Sequence, residues 1–257
     1  MLISVAIASL AVSGMGRAAS SEDQEQRDLY IERALKNSAP DPLLSGRLQR
    51  GSGTGFFVSA HFLLTNFHVV HDCGALTIEP GIDDHQTWHV EVTAMDQGHD
   101  LALLKSATVA AGVAPFEARL ERADSSDLSI VGYPLLGMVL RQPSLTPAVA
   151  RPGAPASSEP LFQFFADVHP GQSGSPLLDE YGAVVGMVAR KVDTVATYQK
   201  TGRLIDQVGL AIPAAIALDF LKRHHVPYGL ASPPDSLSLS DRLERARAFI
   251  ARIGCWQ

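Results

Sequence analysis

Three short stretches place residues of catalytic type in settings that suit nucleophilic chemistry. In GQSGSP, residues 171–176, glycines crowd Ser173 and a proline follows. Glycine permits tight turns and leaves backbone N–H groups open to a ligand. A serine that attacks a carbonyl carbon generates an oxyanion, which such N–H groups stabilise. Taken alone, the stretch reads equally as a glycine–serine turn between strands. In LLTNFHVV, residues 63–70, His68 follows an apolar run. An imidazole titrates near neutrality and serves as a general base, although a lone histidine there is otherwise a surface or capping residue. In HDLALLK, residues 99–105, Asp100 opens a strongly apolar run. A carboxylate at that point orients an imidazole and stabilises its cation, or simply starts a strand. The three occur in the order His, Asp, Ser, and together they supply a nucleophile, a base and the group that orients the base.

The elements that must position these residues read as strands. From Gly51 the chain breaks into short apolar runs separated by turn residues: GTGFFVS, HFLLTN, ALTIEP, TWHVEVTAMD and DLALLK. After a less patterned alanine-rich stretch at 106–128, runs resume at LSIVGYP, GMVLRQ, LFQFFADV, SPLLD, AVVGMVARKV and VGLAIP. Their lengths and β-branched and aromatic content suit an all-β barrel or sandwich. RPGAPASSEP, residues 151–160, is too rich in Pro, Ser and Ala for a core strand and reads as an exposed loop. Two helices are expected near the end. One is PAAIALDFLKRHH, with Pro213 in its first turn. The other follows Ser240 as N-cap, with Leu243, Ala246, Ile250 and Ile253 on one face and Gly254 as the stop.

All three chemical motifs resemble the trypsin-like serine proteases, especially the bacterial HtrA/Deg branch. The matching residues are TNFHVV, DLALLK and GQSGSPL, supported by GTGFFVS, VGYPLLG, GAVVGMV and GLAIP, over roughly residues 51–222. The resemblance implies two six-stranded antiparallel β-barrels with the active site in the cleft between them. It places the first barrel at about 51–118 and the second at about 126–224 of a protease domain spanning 51–225, with 226–257 as connector and C-terminal helix. It implies a serine endopeptidase working through an acyl-enzyme. It further implies that His68 lies within hydrogen-bond reach of both Asp100 and Ser173, and that the backbone N–H groups of Gly171 and Ser173 form the oxyanion hole.

Two departures bear on this. Gln172 stands where digestive trypsins carry an aspartate that pairs with a newly cut N-terminus. An amide cannot supply that charge, so activation by cleavage at Arg50–Gly51 is not expected. Ser175 replaces a glycine of the HtrA/Deg pattern. No PDZ domain is expected in the short C-terminal segment. For the substrate pocket the resemblance points to Asp167, Ala189, Arg190, Gly209 and Ala211. Asp167 lies six residues before Ser173, the offset of the carboxylate that selects basic side chains in trypsin, whereas Arg190 and Lys191 would oppose a basic substrate. In the trypsin-like fold the C-terminal helix packs back toward the first barrel, which would bring Cys73 and Cys255 together as a disulfide.

Bulk properties set the remaining bounds. The 257 residues suffice for one large domain or two small ones sharing an interface. With a net charge of −6 and no long basic run, nucleic acid is not an expected partner. Protein or peptide substrates are. Residues 2–12 are apolar but too short to span a bilayer, and small residues follow. Residues 1–20 therefore read as a signal peptide, 21–50 as an N-terminal arm or helix, and the protein as exported, periplasmic or secreted, with no membrane span in the mature form. Two cysteines are too few for a disulfide scaffold. His68 and His71 form an HxxH without a third ligand, and His224 and His225 end a helix where a cation is favourable. Neither a metal nor a cofactor is expected.

Two rival readings remain. An α/β-hydrolase esterase, using Ser173 with a later aspartate and His224 or His225, needs G-x-S-x-G, and Ser175 occupies the last glycine position. A protease fold that has lost activity and acts as a binding scaffold is the other, although all three triad residue types are present.

Overall fold

The structure is a computed structural model that describes residues 41–257, apart from 83–85, 118–126, 136–141, 151–160, 203–206 and 232–234. The apolar N-terminal run, most of the arm, the 151–160 loop and most of GMVLRQ lie outside the described residues. The early apolar runs become β1 (Gln49–Phe57), β2 (Phe62–Thr65), β3 (Ala75–Pro80), β4 (Trp88–Asp96) and β5 (Leu101–Ser106). A one-turn helix α1 (Phe67–Val70) follows β2. The later runs become β7 (Leu128–Gly132), β9 (Phe162–Phe165), β10 (Pro176–Leu178), β11 (Val184–Lys191) and β12 (Val208–Pro213). Short β6 (Pro115–Phe116) and β13 (Gly229–Leu230) add a parallel pair at the outer edge of β11. Strand β8 (Ser144–Ala150) was not expected from the sequence, because Pro147 reads as a breaker. It lies in a described stretch that pairs with β7 from Leu128↔Ala148 to Gly132↔Ser144, with Pro147 exposed. Helix α2 (Thr194–Thr201), between β11 and β12, was also unforeseen.

The second half of the chain closes a barrel in the order β10-β7-β8-β9-β12-β11, with β11 pairing back to β10. Its core holds Ile130, Phe164, Leu177 and Val188. Helix α3 (Ala214–Arg223) follows β12 directly, with Pro213 as N-cap. Phe220 and Leu221 of α3 are fully buried in the same apolar cluster as Phe56, Leu64 and Leu101. Burying each such side chain contributes about 1.5–3 kcal/mol.

The C-terminal segment corrects the sequence reading. Helix α4 (Leu239–Arg247) is capped by Ser238, whose side chain accepts from the Asp241 N–H, and not by Ser240. It ends well before Gly254, and Ile250–Trp256 is a strand, β14. The helical spacing of Ile250 and Ile253 coexists with a strand-like alternation, and tertiary pairing decides between them. Strand β14 lies antiparallel between β1 and β3 and completes the closed order β1-β14-β3-β4-β5-β2. The first barrel is therefore not contiguous in sequence: its last strand comes from the end of the chain, not from residues 51–118. Across β14, Arg252 and Glu79 form a buried bidentate pair at 2.9 and 2.5 Å. The Trp256 indole N–H donates to Thr77 Oγ1 at 2.9 Å.

Strand β14 also carries Cys255, which is disulfide-bonded to Cys73 just beyond α1, with the Cα atoms 5.3 Å apart. The bridge spans 182 residues of chain. Replacing both cysteines by serine is expected to lower stability by about 2–5 kcal/mol, read by urea unfolding. Thiol titration of the denatured, unreduced protein should find none, and reactive thiols there would overturn the pairing.

The turn from β10 to β11 buries a second titratable feature. The Asp179 carboxylate accepts the N–H groups of Tyr181 at 3.0 Å and Ala183 at 2.8 Å. Burial, reinforced by Glu117 and only partly offset by these bonds, pushes its carboxyl from 3.8 up to about 6. The folded state thus favours neutral Asp179. Its contribution is complete below the ordinary carboxylate range and is lost as pH rises through about 6. Asp179→Asn keeps an acceptor and removes the ionisation. It should be more stable than the parent by about 1–3 kcal/mol at about pH 8, with no comparable gain at about pH 4, in paired urea melts.

Candidate active site

Asp100 sits at the tight turn between β4 and β5 with φ +57, a left-handed conformation uncommon for a residue with a side chain. Neighbouring groups hold it there. Its carbonyl accepts the Phe67 N–H at 3.1 Å and the Asn66 side-chain amide at 3.1 Å. Its carboxylate accepts the His68 backbone N–H at 3.0 Å and meets the His68 Nδ1 at 2.8 and 3.0 Å. The one-turn helix α1 thus delivers backbone and ring of the same histidine to one carboxylate. This arrangement selects the tautomer with the proton on Nδ1 and leaves Nε2 to accept a proton.

The turn is braced from behind. Asp96, at the end of β4, meets His99 Nδ1 at 2.9 Å and Arg223 of α3 at 2.9 Å, and accepts the His99 N–H at 3.1 Å. Burial pushes the Asp96 carboxyl up, but bonds from Arg223 and His99 outweigh it and hold it at about 2. Arg223 therefore ties the end of α3 to the turn that presents Asp100.

Ser173 lies in the loop before β10. Gly171 and Gly174 have φ of +88 and +82, and a Cβ on either would lie 2.3 Å from the Tyr133 carbonyl or 2.1 Å from the Thr54 carbonyl. Both positions require glycine. The Gly171 and Ser173 N–H groups have no hydrogen-bond partner among the described residues. The carbonyl oxygens across the same peptides are engaged: Leu135 N–H donates to Pro170 at 2.7 Å, and Ser175 N–H to Gln172 at 3.0 Å. The buried Gln172 side chain accepts from His169 N–H at 2.9 Å and donates to Thr146 Oγ1 at 2.9 Å. The expected Ser173–His68 hydrogen bond is not formed among the described residues. The Ser173 hydroxyl instead donates to the Ala189 carbonyl at 3.2 Å.

The sequence-derived pocket residues fare unevenly. Ala189 adjoins Ser173 through that carbonyl, and Arg190 is exposed beside it on β11. Asp167 is half-exposed, and its carboxylate faces Lys191 at 3.5 Å and His169 at 3.2 Å. Its charge is already matched within the chain. The space over Gly209 is occupied by the Phe164 ring, 2.2 Å from where a Cβ would stand. Ala211 is fully buried in the second barrel core, so it lies inside that core and lines no accessible wall. Among the described residues, no group of three His, Cys, Asp or Glu side chains is arranged to hold a metal.

A family profile described as a trypsin-like peptidase domain matches residues 53–187, just over half of the sequence. The chain belongs to this trypsin-like peptidase family. An uncharacterized protein y4bJ of Sinorhizobium fredii is 31% identical over 207 residues, covering 79% of this chain and 32% of that protein. A putative serine protease HhoA of Synechocystis is 29% identical over 202 residues, covering 72% of this chain and 46% of the relative. The chain thus spans a third to a half of the length of these curated relatives. Among solved structures, the inactive form of the Rv3671c protease superposes with a TM-score of 0.53 at 23% identity, covering 74% of this chain and 94% of the other. The serine endoprotease from Yersinia pestis gives 0.53 at 23%, covering 68% and 57%. These likenesses establish the double-barrel fold and exclude the α/β-hydrolase architecture, which has a parallel sheet flanked by helices.

Within this trypsin-like peptidase domain, the sequence reading missed the supporting residues. Asp96, His99 and Arg223 carried no motif of their own. Thr54 lay inside the quoted GTGFFVS, where a polar residue amid buried ones signals a hydrogen-bonding duty. Gln172 and β1 also bear on activation. The Gln172 amide is satisfied within the loop, and Arg50–Gly51 lies inside β1, with Gly51 paired to Cys255. Cleavage there would cut a barrel strand. A chain beginning at Ser21 should therefore be active as produced, with N-terminal sequencing showing residues 49–57 still attached. A strict requirement for a new N-terminus at Gly51 would refute this.

Proposed function

We propose that the chain is a serine endopeptidase in which Ser173 is the nucleophile, His68 the general base and Asp100 the group that orients and stabilises the imidazole. The observation that carries this reading is the Asp100 carboxylate, which grips both the backbone N–H and the ring Nδ1 of His68. That grip has one evident use: it presents Nε2 with a fixed tautomer. The Gly171 and Ser173 N–H groups, without a partner among the described residues, support the complementary role of oxyanion stabilisation.

In this mechanism the Ser173 hydroxyl leaves the Ala189 carbonyl by a rotamer change and turns to His68 Nε2. Oγ attacks the scissile carbonyl carbon as its proton passes to Nε2. The tetrahedral oxyanion accepts the Gly171 and Ser173 N–H bonds. Collapse breaks the C–N bond, and the leaving amine takes the proton from His68. Water then attacks the acyl-enzyme by the same route and restores Ser173. A protein or peptide substrate of basic side chain is disfavoured at Asp167, because Lys191 and His169 already face it.

Export is part of the proposal. A bridge such as Cys73–Cys255 is typical of oxidising compartments, and a relative from Chlamydia trachomatis is named a probable periplasmic serine endoprotease. Ser173→Ala should abolish labelling by a fluorophosphonate probe and lower peptide turnover by at least about 10³-fold, and Asp100→Asn should lower kcat by about 10³–10⁴-fold, both with unchanged circular dichroism. Wild-type-like turnover by Ser173→Ala would exclude the assignment, and a folded parent chain that neither labels nor cleaves would favour the scaffold reading.

A further inference from the structure

Thr54 of β1 is fully buried and belongs to the first barrel, yet its backbone N–H and its hydroxyl both reach the loop that carries Ser173. Its backbone N–H donates to the Ser173 carbonyl at 2.9 Å, and its carbonyl accepts the Thr65 hydroxyl at 2.7 Å. Its own hydroxyl does two things at once. It donates to the Gly171 carbonyl at 2.9 Å and accepts the Tyr133 N–H at 3.1 Å. Two residues beyond Tyr133, the Leu135 N–H holds the Pro170 carbonyl at 2.7 Å.

A trans peptide is planar, with its N–H opposed to its C=O. Anchoring the Pro170 carbonyl on Leu135 therefore aims the Gly171 N–H the other way. The Thr54 hydroxyl is the crossbar that keeps the two sides of this latch in register: the 133–135 segment through Tyr133, and the 171–173 loop through Gly171. Gly171 packs closely against that segment: an added Cβ would lie 2.3 Å from the Tyr133 carbonyl. Without the hydroxyl, a buried N–H and a buried C=O would both lose their partner, a strong incentive for the two strands of backbone to move apart or rotate.

We infer that Thr54 is a positioning residue for the oxyanion site: a hydroxyl of the first barrel that holds the Gly171 carbonyl directly and, through Tyr133 and the Leu135 N–H two residues on, keeps the preceding Pro170–Gly171 peptide in its orientation. This rests on the reading of Ser173 as nucleophile, but it specifies something that reading does not, namely which side chain couples the barrel of the base to the geometry of the oxyanion donors. Oxyanion bonds strengthen in the transition state, so misaiming a donor lowers kcat while leaving KM near its starting value.

The test compares Thr54→Val, which keeps shape and loses the hydroxyl, with Thr54→Ser, which keeps the hydroxyl, in the full chain. Thr54→Val should lower kcat and the fluorophosphonate labelling rate by about 10–100-fold with KM changed by less than about threefold, because loss of a complete oxyanion donor is typically worth about 10²–10³-fold. Thr54→Ser should recover kcat to within about fivefold of the parent. A purely structural Thr54 would give a lowered melting temperature with kcat per labelled site unchanged, and that result would overturn the inference. So would a Thr54→Ser variant as slow as Thr54→Val. If the valine variant does not fold, Thr54→Ala, which leaves room for a bridging water, is read by the same kcat-against-KM split. A crystal structure of the folded variant decides independently of activity. The Pro170 and Gly171 carbonyls should be turned from their present partners, and unmoved carbonyls would sink the positioning role. If the parent chain itself shows no activity, the endopeptidase reading fails, and that crystal structure alone still judges Thr54.

Discussion

Five strands from the first half of the chain leave β1 and β3 with open backbone edges, and β14 satisfies both. Everything in the first barrel depends on that insertion. An exposed edge invites pairing with another chain, and closure removes it. The Arg252–Glu79 pair is buried on both sides. A buried ion pair adds little net stability but penalises any register in which one partner is left alone. The Cys73–Cys255 bond then ties the same strand to the segment just after α1. The strand that completes the barrel is thereby fastened beside the element that carries His68.

The candidate active site is divided between two barrels, so its geometry depends on the contacts between them. His68 and Asp100 depend on the first barrel, and Ser173 on a loop of the second. Besides the shared apolar cluster, two polar braces act on the site itself. Arg223, at the end of α3, binds Asp96 behind the Asp100 turn. Thr54 reaches the opposite way, from β1 to the Ser173 loop. One brace stiffens the turn behind His68, and the other stiffens the loop that carries Ser173. The Thr54 brace relies on buried polar groups, whose hydrogen bonds are costly to break because water does not replace them readily, whereas Arg223 reaches Asp96 from an exposed position.

Gln172 shows the same logic applied to activation. Its amide is fully buried and bonded at both ends within the second barrel. A neutral group there needs no counter-charge, so the loop is held by local bonds that form with the fold. The buried Asp179 at the far end of β10 is the exception, since it is neutral only while the pH stays below its raised range.

The types and order of His68, Asp100 and Ser173 were legible in the sequence because each stands in a local context, a turn after an apolar strand or a glycine-rich loop, that short-range sterics dictate. The barrel strands were legible for the same reason, since side-chain alternation is a local property. The end of the chain was not. Ile250–Trp256 satisfies a helical spacing and a strand alternation, and only the vacant edges of β1 and β3 choose between them. Ala211 lies in the second barrel core, and sequence offset does not say which face of β12 looks inward. Asp167 could be located by counting, but its neutralising partners, Lys191 and His169, converge on it only in three dimensions. The role of Thr54 lay further still beyond reach: its hydroxyl meets a carbonyl 117 residues away. Local sequence thus determined which residues can do chemistry, and the packing of one barrel on the other decided which backbone groups they would hold.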